Sequence, residues 1–294
     1  MNAQGGMLAG GMDYALGAMV CYGLADLIYK RAVARGIPAH KLVCVQAWQF
    51  GPLVLLYGFA SHGLVLNPAS IWGVVAGIFA YLAFYFFALS LKGGSISINA
   101  PIFRLSFTLT AALAVLLLRE PLGPWKIAGL ACALLAVWLL LGGNAPRGAG
   151  APAGAALRNS LIQVGIATVA IGIANLIYKV GLTAGATPAT LLVGQALMVN
   201  LLSTVNLWRI EHSLRADRLT WAHAGFAAVV LASAFLFLFQ GLARGEASRL
   251  VPVAQMGFVV TASIGFLFLG EAFTARKGVG LAFAIAALAA LAQS

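Results

Sequence analysis

From residue 13 onward the chain is an almost continuous succession of apolar runs, each near the roughly 20 residues a helix needs to cross a hydrocarbon core about 30 Å thick. Inside lipid every backbone N–H and C=O must be satisfied within its own segment, so runs of this kind fold as helices. The spacing predicts ten of them: 13–34, 40–61, 69–92, 96–118, 124–143, 158–181, 188–209, 221–243, 247–269 and 276–292. Only 9% of the 294 residues are charged and 62% are hydrophobic, which leaves no stretch for a soluble domain. The expected fold class is an all-α integral membrane protein. The opening MNAQGGMLAGGM has no basic leader, and the apolar run after it is too long for a signal sequence, so it is expected to stay as the first helix.

The chain writes itself twice. ADLIYK at 25–30 returns as ANLIYK at 174–179, Gln46 matches Gln195, Pro101 matches Pro252, Glu120 matches Glu271, and Lys126 with Gly129 matches Lys277 with Gly280. The offset drifts only from 149 to 151, as duplication with small loop changes produces. A Gly/Ala/Pro-rich linker, 144–157, separates a first five-helix unit, 13–143, from a second, 158–292. Because each unit has an odd number of crossings, the second enters the membrane from the opposite side. Inverted repeats of this sort surround a central cavity in many secondary transporters.

Several function classes fall away. The formal charge of +11 is carried by short connections, where it sets membrane orientation, and no basic patch with interleaved aromatics suggests nucleic acid. Cys21, Cys44 and Cys132 lie in apolar runs without metal-like spacing, and His40, His62, His212 and His223 are dispersed, so neither a disulfide nor a metal nor another cofactor is expected. No phosphate-binding G-x-x-x-x-G-K-[ST] and no nucleophile–base setting occurs, which argues against an enzyme.

Charges at membrane depth cost about 2.5–3.5 kcal/mol on insertion scales and mark function by default. Asp26 in the first helix and Arg104 in the fourth are the two deep ones. Facing inward they could pair, or bind the ammonium and carboxylate of a zwitterion; alternatively Arg104 snorkels and Asp26 is structural glue. Tyr81 and Tyr85 share a face of the third helix and form either an aromatic cavity wall or a packing stripe. Deep amides must find partners in lipid, and Asn99, Asn175 and Gln255 join the candidate substrate-binding set of Asp26, Tyr81, Tyr85, Asn99, Arg104, Asn175 and Gln255. Pro101 and Pro252 each free a backbone carbonyl and allow bending, and GVVAG, 73–77, permits close helix approach. Glu120 and Glu271 read as structural residues at helix ends.

YGLADLIYKRA, the stretch from FYFFALSLKGG to LACALLAVWLLL, and FLFLGEAFTARKGVGLAFAIAALA together resemble the drug/metabolite transporter superfamily in its ten-helix EamA-like branch. The resemblance covers about the whole chain, with departures: Phe107 and Phe258 stand where that branch usually has proline, and Arg119 where it usually has glycine. It implies a secondary transporter of small metabolites working by alternating access. Amino-acid export of the YddG type comes first, and drugs, sugars or phosphorylated metabolites are the alternatives within the superfamily. A membrane-embedded lipid-modifying enzyme is the alternative from another class. The resemblance also implies a monomer in the bacterial inner (plasma) membrane with its termini in the cytoplasm. Counting Lys and Arg gives the opposite sidedness, because the connections after helices 1, 3, 5, 7 and 9 carry twelve of them and the other side five.

Overall fold

The structure is a computed structural model and describes residues 11–93, 99, 102–141, 154–268 and 274–294. Among them all regular structure is helical: α1 Met12–Ala34, α2 Ala39–Ala60, α3 Ile71–Gly93, α4 Ser106–Leu118, α5 Pro124–Leu141, α6 Gly154–Thr183, α7 Pro188–Glu211, α8 Arg218–Leu242, α9 Ala247–Gln255, α10 Gly257–Phe268 and α11 Ala275–Ala292. Five of these segments, taken by α2, α3, α6, α7 and α8, are long and apolar enough to cross a bilayer; the apolar segments at α4, α5 and α11 are shorter.

Helix starts follow local chemistry. Thr187 caps α7 by accepting the Thr190 N–H at 3.1 Å, with Pro188 at the first helical position, where its missing N–H costs nothing. Asp217 caps α8, and the Thr220 N–H and hydroxyl bonded to its carboxylate hold that acid below its usual range.

The fourth and ninth predicted helices are both broken, at equivalent places. Leu105 and Met256, 151 residues apart, each turn their N–H to the carbonyl three residues back, Ile102 and Val253, and each carbonyl is taken up three residues on, by Thr108 and Val259. Pro252 lies four residues before its break; Pro101 falls outside the described residues. The predicted bending therefore resolves, in the second half, into a discrete step between α9 and α10.

Packing is almost wholly between the halves. The pairs α1–α8, α2–α8 and α1–α10 have counterparts in α6–α3, α7–α3 and α6–α4, while α2–α7 and α5–α11 are their own counterparts. Exchanging the halves thus maps the packing onto itself, which defines a pseudo-two-fold axis. Even individual bonds repeat: Thr110 Oγ1 donates to the Gly172 carbonyl at 3.3 Å, and Thr261, 151 residues on, donates to the Gly23 carbonyl at 3.0 Å.

Close approach is set by glycine. A Cβ on Gly73 would lie 2.6 Å from the Leu191 carbonyl oxygen and one on Gly77 2.7 Å from the Met198 Cβ, so the 73–77 pattern does bring α3 against α7. Likewise a Cβ on Gly23 would come within 2.5 Å of the Gly257 carbonyl oxygen, which seats α1 on the break between α9 and α10.

Outside and inside are inverted relative to a soluble protein. Leu56, Phe59, Leu116, Leu197, Phe226 and Ile285 are exposed, whereas Asp26, Gln46, Arg104, Asn175, Gln195 and Gln255 are buried, as a hydrocarbon solvent demands.

Candidate functional site

The first copy of the duplicated hexapeptide carries Asp26 on α1, about four turns from the Gly11 that starts the helix and beside the Gly23–Gly257 contact. That contact delivers Asp26 to the broken helices. Arg104, one residue before the break at Leu105, donates from Nη2 to Asp26 Oδ1 at 2.5 Å. From Nη1 it donates to Gln255 Oε1 at 2.7 Å, and Gln255 is the residue before the break at Met256. The guanidinium carbon lies 5.4 Å from the Tyr22 ring centre and 5.7 Å from that of Phe103, and Arg104 is 3% exposed. Two charges removed from water are held only where further hydrogen bonds support them; here Gln255 takes the second Nη, while Arg104 Nε has no hydrogen-bond partner among the described residues.

Arg104 and Gln255 are 151 residues apart, so they are each other's counterparts, and their hydrogen bond spans the pseudo-two-fold axis. The sequence contained that signal: the Pro101–Pro252 register sets Arg104 opposite Gln255, just as ADLIYK and ANLIYK set Asp26 opposite Asn175. The polar centre is therefore a trio of Asp26, Arg104 and Gln255, in which a charged pair from the first half meets one amide from the second.

A small cavity opens on this group, lined among others by Tyr22, Asp26, Tyr29, Phe103, Arg104 and Gln255. A second lies between Gln46, Ala47, Phe50, Gln195, Ala196 and Val199, and the two share Phe84, Leu231 and Phe235 as walls. Phe84 and Phe235 are also counterparts, and meet edge-on with centres 6.1 Å apart. Each space is about 20 Å³, the room of about one water. The centre is thus polar and inward-facing but closed, and a solute of several atoms enters it only when these aromatic walls move.

The remaining sequence-predicted residues are distributed differently. Tyr81 and Tyr85 stack, with centres 5.8 Å apart, and Tyr81 packs against Ala47 and Val199 rather than lining either cavity. Asn99 ties α3 to α6, its Nδ2 donating to the Ser90 carbonyl at 3.0 Å and to Ser160 Oγ at 2.8 Å. Asn175 is buried, neither amide atom has a hydrogen-bond partner among the described residues, and it is absent from the walls of both cavities. Sequence reasoning passed over Tyr22, Tyr29, Phe235 and Gln195 as wall residues. Tyr29 donates to Gln46 Oε1 across the boundary between the cavities.

Around this centre the expected helix-end residues are structural. Glu120 accepts the N–H groups of Ala247 at 2.9 Å and Ser248 at 2.8 Å, capping the buried start of α9. Its counterpart Glu271 lies outside the described residues. Lys179, from the second hexapeptide, donates to the carbonyls of Leu242 at 2.9 Å and Gly245 at 2.6 Å and closes the end of α8. Among the described residues no group of acidic, His and Cys side chains could hold a metal ion.

Comparison with known proteins agrees with the duplication. The profile described as "EamA-like transporter family" matches residues 10–142 and again 159–293. An "Uncharacterized transporter in cobO 3'region" of Sinorhizobium sp is 31% identical over 64 residues, 22% of this chain and 45% of that protein. An uncharacterized protein of Methanocaldococcus jannaschii is 27% identical over 85 residues, 29% of this chain and 62% of that one. The chain thus spans about half the length of these relatives. A solved crystal structure superposes with a TM-score of 0.77 at 18% identity, covering 95% of both chains, and so shares the fold.

Proposed function

Because the chain belongs to the EamA-like transporter family, an integral membrane protein and a transporter rather than an enzyme, we propose that it exports a small zwitterion, foremost an amino acid, by alternating access. In this reading ten crossings form two inverted five-helix repeats, 13–143 and 158–292, about the linker 144–157, in the bacterial inner membrane. The α9 and α10 pieces count as one crossing, and the substrate sits on the axis that relates the halves.

The observation that carries the proposal is the buried Asp26–Arg104 pair beside Gln255, lining a cavity on that axis. An amino acid offers an ammonium to Asp26 and a carboxylate to Arg104, replacing one internal ion pair with two to the ligand, so that the charges stay paired throughout. A phosphorylated metabolite is less well served, since Arg104 is the one cation among the described residues of the cavity wall. The test is uptake of a radiolabelled amino acid into proteoliposomes. Arg104→Ala is expected to abolish it at unchanged reconstitution, and undiminished flux would remove the pair from the transport path.

A further inference from the structure

We propose that the space between α2, α3, α7 and α8 is a second, uncharged subsite that receives the side chain of the transported zwitterion and selects a short one bearing a hydroxyl. This rests on the zwitterion reading above and extends it to a part of the molecule that the ion pair does not touch.

Among the described residues no charged group lines this space. Its walls are Ala47, Phe50, Phe84, Ala196, Val199, Leu231 and Phe235, and its polar groups are Gln46 and Gln195. Gln46 Oε1 is engaged by the Tyr29 hydroxyl. Gln195 Oε1 is buried, in a residue 2% exposed, and accepts no hydrogen bond among the described residues. A buried acceptor left unanswered raises the free energy of the protein until a donor arrives. A guest that brings the donor recovers that cost and an isostere without it does not, which is the physical basis of strong polar discrimination in a binding site. A hydroxyl suits the position because it answers either end of an amide.

Placement and size agree. The space shares Phe84, Leu231 and Phe235 with the ion-paired cavity, so a single molecule with its charged groups at Asp26 and Arg104 would extend its side chain past those rings. At about 20 Å³, the room of about one water, the space suits the hydroxyl end of a short side chain and not a long chain.

L-Threonine and L-valine are the discriminating probes, since they differ by a hydroxyl in place of a methyl. Thermal unfolding of the purified protein in lipid nanodiscs is followed with each at matched concentrations, where binding to the folded state raises Tm. Threonine is expected to bind on the order of tenfold more tightly than valine. Gln195→Leu should erase that preference while stabilisation by valine persists; Gln195→Met serves the same purpose if the leucine variant does not fold. Equal shifts for both probes in the wild type, as a lone water on Gln195 would give, or a threonine preference retained in both variants, overturn the subsite alone. If neither amino acid shifts Tm in the wild type, the zwitterion reading falls and takes the subsite with it.

Discussion

In the first repeat Asp26, Tyr29 and Gln46 all make side-chain hydrogen bonds, to Arg104, Gln46 and Tyr29 respectively. Their counterparts in the second repeat are Asn175, Tyr178 and Gln195, and each carries a buried polar atom without a partner among the described residues. The two halves share helix order, packing and breaks, down to the paired threonine bonds at Thr110 and Thr261. At these three positions they differ in polar chemistry. A duplicated scaffold thus fixes where side chains meet, while the substitutions that accumulate on it decide which of those meetings carry charge. On an axis that should treat both halves alike, a single ion pair makes the site one-sided.

The largest expected difference comes from making the first half resemble the second. Asp26→Asn leaves the Arg104 guanidinium buried without a counter-charge and should cost roughly 3–5 kcal/mol of stability. The counterpart change, Asn175→Leu, removes two amide atoms that already lack partners, and should leave stability unchanged or raised. Reversible unfolding in mixed micelles measures both. Equal losses from the two variants would show that the halves are energetically alike and that the missing Asn175 partners are not a feature of the molecule.

How much of this could be read in advance differs by level. Helix positions were legible because the length of an apolar run is set by the bilayer and its backbone has only one way to be satisfied. The repeat was legible through register, and the pairing of Asp26 with Arg104 was one of the alternatives left open by the cost of burying either alone. What the letters did not disclose is which helices touch. Tyr81 and Tyr85 looked as eligible for the centre as Tyr22 and Tyr29, since all four lie on apolar helices, and only the rotation of α3 against α7, set by Gly73 and Gly77, turns the former toward Ala47 and Val199. Asn99 illustrates the same limit: an amide in lipid needs a partner, but the sequence does not say whether that partner is a solute or, as here, Ser90 and Ser160.

A middle-sized difference separates the two tyrosines of the hexapeptides. Tyr29→Phe deletes a made hydrogen bond and strands Gln46 Oε1 in the interior, at a cost of about 1–3 kcal/mol. Tyr178→Phe removes a hydroxyl that is buried and unbonded, so the same chemical change should be neutral or stabilising. Thermal unfolding in nanodiscs of each single variant and of the double variant separates them. A loss at Tyr178 matching that at Tyr29 would mean that its hydroxyl is satisfied by water or by a partner gained in another state.

The smallest expected effect tests a helix end at which the two repeats carry different residue types. Arg119 ends α4 in the left-handed region, φ 55° and ψ 35°, whereas the counterpart position in the sequence is Gly270. A side chain there costs about 1–2 kcal/mol through the clash of Cβ with the following carbonyl. Glycine relieves that clash but frees the unfolded chain, which takes back about 0.4–1 kcal/mol. Arg119→Gly should therefore stabilise by about 0.5 kcal/mol, a rise in Tm of a degree or so that differential scanning fluorimetry can resolve against wild type. A fall in Tm instead would mean that the Arg119 side chain contributes more to the end of the first repeat than its backbone strain removes.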